Sequence, residues 1–156
     1  MALKDQINND LKAALLGGNR LSTEVLRGLK ATILNEEIAQ KKREEGLDDT
    51  AIEQVIAREV KKRNESANIY DGAGRPELAA DERAEANVLS TYLPAQLSED
   101  DINAVVVRVI GELGVTSPSA FGQVIGAVKK ELGNAADGAI VAKLVKSASL
   151  YSENHK

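Results

Sequence analysis

The sequence contains no cysteine. That excludes a disulfide framework, a thiolate nucleophile and a Cys-ligated zinc. It contains one histidine, His155, the penultimate residue. A lone histidine on a fraying end supplies neither a two-His metal site nor a well-held catalytic triad. Aromatic residues are scarce, with only Tyr70, Tyr92, Phe121 and Tyr151. So few rings argue against a base-stacking platform of the RRM or OB type. No apolar run approaches the roughly 20 residues of a membrane span, so a soluble chain is expected. The start, Met1-Ala2-Leu3-Lys4-Asp5, lacks the apolar stretch of a secretory signal, and the expected location is cytoplasmic.

Neither sign of charge dominates. The net charge is −4, from 20 basic and 24 acidic residues. Residues 1–96 hold 14 basic and 17 acidic groups, and residues 97–156 hold 6 and 7. Neither half is a basic domain, so any nucleic-acid contact must come from a local patch. With 43% apolar and 28% charged residues in 156, the chain has a globular balance and suits one domain or two small ones.

Alanine and leucine dominate, and both favour helix. Leu21-Ser22, Leu47-Asp48 and Leu97-Ser98 each place a capping side chain after a leucine and before an apolar stripe. Ser117-Pro118 and Asp137 mark two more starts. Gly17-Gly18, Gly46, the Gly72–Gly74 run, Gly114 and Gly133 mark stops. The pattern predicts seven helices, at about residues 3–16, 22–45, 49–71, 77–93, 98–113, 118–132 and 138–151. Pro94-Ala95-Gln96 divides the chain. The expected fold is all-α: a four-helix N-terminal bundle over residues 1–93, a three-helix lobe over 97–151 and a disordered tail at 152–156.

No catalytic motif is present. There is no Walker-type loop, Gly-x-Ser-x-Gly, Ser-x-x-Lys or Glu-x-x-His, so no catalytic residue, metal site or cofactor is assigned. The carboxylate pairs Glu36-Glu37, Glu44-Glu45 and Asp48-Asp49 fit a solvated face. Gly122-x-x-x-Gly126 fits close helix–helix approach.

Two basic groupings stand out. A hairpin pivoting near residue 47 brings Arg27, Lys30, Lys61, Lys62 and Arg63 together as a secondary phosphate-binding patch. Interleaved Glu24, Glu36, Glu59 and Glu65 favour a salt-bridged face instead. Lys129, Lys130, Lys143 and Lys146 flank the Gly133–Gly138 loop, where a helix N-terminus at 138–140 offers N–H groups to a phosphate. Neutralisation of helix C-termini by those lysines is the alternative.

Residues 64–102 carry Ser66, Tyr70, Ala73-Gly74-Arg75, Leu78-Ala79, Glu82, Glu85, Val88-Leu89 and Tyr92-Leu93-Pro94-x-Gln96-Leu97-Ser98. Residues 122–146 carry Gly122-x-Val124-x-Gly126 and Ala136-Asp137-Gly138-x-x-Val141-x-x-Leu144-Val145-Lys146. In this order the chain resembles the GatB/YqeY family. The resemblance implies an all-α fold of a four-helix and a three-helix bundle. It also implies likeness to the tail of the GatB subunit of the glutamine-dependent aspartyl/glutamyl-tRNA amidotransferase, which contacts tRNA. Family members usually carry a basic residue in the second loop, whereas Asn134-Ala135-Ala136-Asp137-Gly138 has none.

The resulting expectation is a non-catalytic accessory protein that binds tRNA or a tRNA-linked enzyme, with Lys129, Lys130, Lys143 and Lys146 as phosphate contacts. A protein-interaction adaptor is the alternative, using the long N-terminal helices or a groove between the lobes around Arg75 and Tyr92. A carbon–nitrogen ligase using glutamine as amido donor is implied by the resemblance alone. Arg75 is expected to act structurally, its guanidinium bonding helix carbonyls at the Gly74 turn and pairing with a nearby glutamate.

Overall fold

A computed structural model describes the backbone of residues 2–115 and 117–154, and the side chains of these up to Ala148. The regular elements among the described residues are all helices, with no strand among them. The chain divides into two compact units, residues 1–93 and 94–156.

The first unit comprises α1 (Leu3–Leu16), α2 (Arg20–Ala39), α3 (Asp49–Gly72) and α4 (Pro76–Ser90). Asp48 caps α3 as the sequence suggests, its side chain accepting from the Ala51 N–H. The cap of α2 is Asn19, three residues before the expected Ser22, and it accepts from the Ser22 N–H. Both side chains satisfy a first-turn donor that the helix itself leaves unpaired.

The end of α2 departs most from expectation. The pattern predicts helix to residue 45, but α2 stops at Ala39. Lys41 takes a left-handed φ of 58°, its N–H bonds Ile38 O, and the Lys42 N–H bonds Glu37 O. This is a Schellman closure built on lysine instead of glycine. Lys41-Lys42-Arg43 therefore lies in a turn and not on a helix.

The core of this unit is Leu3, Ile7, Leu11, Val25, Leu26, Leu29, Ile33, Leu47, Ile52, Val55, Ile56 and Leu89. Each large aliphatic side chain here contributes about 1.5–3 kcal/mol by leaving water.

The second unit comprises α5 (Glu99–Leu113), α6 (Phe121–Leu132) and α7 (Gly138–Asn154). Short 3₁₀ turns precede α6 at Pro118–Ala120 and follow it at Gly133–Ala135. Ser98 caps α5 by accepting from the Asp101 N–H. The core is Ile102, Val106, Val109, Val124, Val128, Ala136, Val141 and Val145. Helix α7 continues past the expected end at 151 and covers residues 152–154, part of the segment expected to be disordered. His155 and Lys156 lie outside the described residues.

Candidate functional site

The loop after α6 is held with its carbonyls turned inward. Lys129 Nζ donates to Gly133 O at 3.0 Å and to Ala136 O at 2.7 Å. Gln96 Nε2 donates to Asn134 O at 2.9 Å, and the Leu97 N–H donates to Ala135 O at 2.9 Å. Four consecutive carbonyls are thus satisfied, and the Lys129 ammonium is spent on the loop. At the start of α7, the Asp137 carboxylate accepts from the Ala139 N–H at 2.7 Å. An acidic side chain therefore occupies the helix N-terminus where a phosphate was expected, and its charge repels one.

The other lysines are less committed. Lys143 sits 3.5 Å from Glu99, with both side chains more than half exposed. Such a pair is worth little in water and opens readily. Lys130 and Lys146 are exposed and form no ion pair with described residues. Lys130 shares a face of α6 with Gly122 and Gly126 at helical spacing. That face is open. A methyl group added at either glycine meets nothing within 4 Å, so Gly122-x-x-x-Gly126 is not the close helix contact its spacing suggests.

Two members of the secondary patch, Lys30 and Arg63, line different cavities. Lys30 lines a cavity between α1 and α2, whereas Arg63 lines a small cleft with Gly28, Thr32, Glu59 and Leu89. The register is as expected, Arg63 lying opposite Thr32, but the two cations fall on opposite flanks of α2. Arg63 is also neutralised by ion pairs to Glu85 and Glu82. Arg27, Lys61 and Lys62 are exposed.

Glu37 departs from the solvated face that the sequence pattern suggests, being 2% exposed. Its Oε2 accepts from Lys4 Nζ at 3.0 Å and from the Leu47 N–H at 2.9 Å. Burial pushes its carboxyl up, but the bonds from Lys4 and Leu47 and the charges of Lys4 and Arg43 outweigh that. The net result lies below the ordinary 4.5. Gly46 makes the approach possible, since it has φ 76° and a Cβ there would stand 3.2 Å from Glu37 Oε2. The Leu3 N–H donates to Asp49 Oδ1 at 3.0 Å, so the first turn of α1 is tied twice to the α2–α3 turn. The available signal was position: Glu37 continues the buried stripe of Leu26, Leu29 and Ile33.

Arg75 and Tyr92 both belong to the first unit. Arg75 does act at the Gly74 turn, but through its backbone, the N–H donating to Tyr70 O at 2.8 Å. Its guanidinium is exposed and makes no bond to described residues, which corrects the expected side-chain role. Arg83 holds that turn instead, bonding Asp71 at 2.5 Å and Asn68 at 3.2 Å. The Tyr92 hydroxyl donates to Asp10 Oδ2 at 2.5 Å and ties the turn after α4 to α1. Burial, then this bond and the Asp10 charge, hold the phenol above the ordinary tyrosine range.

Among the described residues no group of three or more His, Cys, Asp or Glu side chains is placed to hold a metal ion. No single described helix is long and apolar enough to cross a membrane.

A family model described as Yqey-like protein matches residues 4–149. Similar curated proteins carry the name altered inheritance of mitochondria protein 41, mitochondrial. The one from Kluyveromyces lactis is 30% identical over 72% of this chain and 61% of its own length. That from Lachancea thermotolerans is 29% identical over 72% of this chain and 60% of its own length. That from Clavispora lusitaniae is 25% identical over 99% of this chain and 91% of its own length. The chain thus spans about three-fifths of the first two. These relatives overturn the expected cytoplasmic location, because their name places them in mitochondria. The physical reason is that a transit segment is amphipathic and Arg-rich, so lack of an apolar leader does not decide compartment.

Proposed function

Since the chain belongs to the family of Yqey-like proteins, we propose that it is a tRNA-linked helical accessory protein with no catalytic centre of its own. The second unit carries the contact, through Lys130 and Lys146, with Lys143 joining once it leaves Glu99. Lys129 takes no part, being committed to the loop carbonyls. The observation that carries this reading is the division of the four lysines: Lys129 is tied into the fold, whereas Lys130 and Lys146 are exposed and form no ion pair with described residues. Resemblance to the tRNA-contacting tail of the amidotransferase GatB subunit supplies the class of partner.

The test is a titration of labelled tRNA with the purified chain at several salt concentrations, with duplex DNA as competitor. Saturable binding that prefers tRNA is expected, its affinity falling with a salt slope of about −0.7 to −0.9 per phosphate contacted. Lys130→Glu with Lys146→Glu should abolish most of it. Binding untouched by that double reversal, or none at low salt, overturns the reading.

An adaptor role is the second reading. It is favoured by Leu15, Leu16 and Leu21, which stand 48%, 91% and 39% exposed around one turn. A stable complex with a partner protein that survives nuclease treatment and is lost on Leu16→Asp would carry it.

A further inference from the structure

Helix α1 lies at the margin of the first core. Its buried side chains Leu3, Ile7, Leu11 and Ala14 are 7%, 1%, 9% and 8% exposed, whereas Ile52 and Ile56 of α3 are at 0%. A half-open cleft of about 270 Å³, lined by Ile7 and Asn8 of α1 and by Ile33 and Leu34 of α2, keeps the two helices from closing fully on each other. Leu15 and Leu16, in the last turn of α1, are exposed. The connection to α2 is Gly17-Gly18-Asn19. Gly18 has φ 71°, and a Cβ added there meets nothing within 4 Å, so nothing packs against the joint.

The two helices differ in what each needs from the rest of the unit. Helix α2 carries its own cap, Asn19 accepting from the Ser22 N–H. Helix α1 has no side-chain cap, its N-cap being Ala2. Its Leu3 N–H donates instead to Asp49 Oδ1 of α3 at 3.0 Å, and its Lys4 Nζ donates to Glu37 Oε2 of α2 at 3.0 Å. Both ties stand at the end of α1 far from the glycines, with the Asp10–Tyr92 bond between. A 14-residue helix is marginal alone in water, so α1 frays once these partners leave. Glu37 Oε2 also accepts from the Leu47 N–H at 2.9 Å. When Lys4 departs, water reaches that carboxylate and competes for it.

We propose that α1 is a latched strap, which detaches about Gly17-Gly18 before the rest of the first unit unfolds and opens the α2–α3 turn with it. The glycines are the hinge, and Lys4 with Glu37 is the latch. The turn follows because one carboxylate holds both Lys4 and the Leu47 N–H. The open form presents Leu3, Ile7 and Leu11 on the strap and Ile33 beneath it, apolar surface that the closed form hides. The strap lies wholly in the first unit and does not rest on the tRNA reading, so the tRNA titration cannot decide it.

The test is native-state hydrogen exchange of the full chain, read by NMR at increasing urea below the unfolding transition. The amides of α1 from Ile7 to Ala14 and the Leu47 amide are expected to share one opening equilibrium and one urea slope. That opening should be more populated, and less steep in urea, than the one exposing the Val55 and Ile56 amides of α3. Ala79 is fully buried in α4 and outside the cluster that α1 joins. Ala79→Gly should therefore raise exchange at Val55 and Ile56 about tenfold and leave α1 and Leu47 unchanged, since the open form keeps that contact. Lys4→Met breaks the latch and should raise exchange of α1 and Leu47 about tenfold, whereas Lys4→Arg keeps the pair and stays near the parent. Lys4 is half-exposed, so neither change disturbs the core. Should Lys4→Met fail to fold, the urea series and Ala79→Gly decide alone. Equal opening for α1 and α3, Leu47 exchanging apart from α1, α1 amides raised by Ala79→Gly, or α1 amides untouched by Lys4→Met overturns the proposal.

Discussion

The two units are both helical, yet they bury different hydrocarbons and lock their loops with different chemistry. Residues 1–93 pack mainly leucine and isoleucine, with Val25 and Val55, and residues 94–156 pack mainly valine, with Ile102 and Ala136. Valine loses rotamer freedom in a helix but is short, so helices carrying it can sit close. The loop locks differ as well. In the first unit a buried carboxylate, Glu37, gathers Lys4 and the Leu47 N–H. In the second, an ammonium, Lys129, gathers two carbonyls. The first lock rests on a carboxyl held below its ordinary range, and the second on an ammonium bonded to neutral carbonyls. Similar folds thus carry different sensitivities.

Truncating each core separates the two units most sharply. Ile52 and Val128 are fully buried. Ile52→Ala should cost about 3–4 kcal/mol, and Val128→Ala about 2 kcal/mol, since fewer methyl groups leave. Hydrogen exchange resolved along the sequence checks this. Each substitution should lower protection in its own unit, and loss spread evenly over both would show that the units unfold together.

The loop locks give a second, smaller test. Glu37 has a depressed folded-state value, so its stabilisation is complete above the ordinary 4.5 and is lost as pH falls below it. Protection in residues 1–93 should therefore fall below pH 4.5 in part through this group. Glu37→Gln keeps the acceptor for the Leu47 N–H and removes that contribution, at a cost of about 1 kcal/mol at neutral pH. Lys129→Met should cost about the same in residues 94–156. Urea titrations at several pH values read both.

The smallest effect has the opposite sign. Lys41 holds a left-handed conformation that favours glycine. Lys41→Gly should stabilise the first unit by about 0.5–1 kcal/mol, seen as a higher urea midpoint with unchanged slope.

Most of the fold was legible because caps and stripes are local. Asp48, Ser98 and Asp137 cap where a short polar side chain precedes an apolar run. The end of α2 was not legible. Gln40 to Glu45 are good helix formers, and the first glycine comes only at Gly46. The helix closes at a left-handed Lys41, and the turn beyond is held by Glu37 accepting from a donor ten residues away, which no local pattern carries. The lysines divide similarly. Spacing placed Lys129 and Lys130 beside the loop, but only the loop's carbonyl-in geometry shows that Lys129 is the one tied to it. Arg63 sat in the expected register and on the other flank, because register follows from turn length and flank from packing.

The open glycines of the second unit have a kinetic consequence. Gly111, Gly122 and Gly126 lie inside α5 and α6, and a methyl group added at any of them meets nothing within 4 Å. Each glycine weakens its helix by about 1 kcal/mol relative to alanine, and packing at those positions returns nothing. A helix of 12 residues such as α6 is already marginal alone, and two glycines put it well below that margin. It therefore cannot form first and dock afterwards. Its secondary structure and its valine contacts should therefore condense together, read as fractional φ-values along α6.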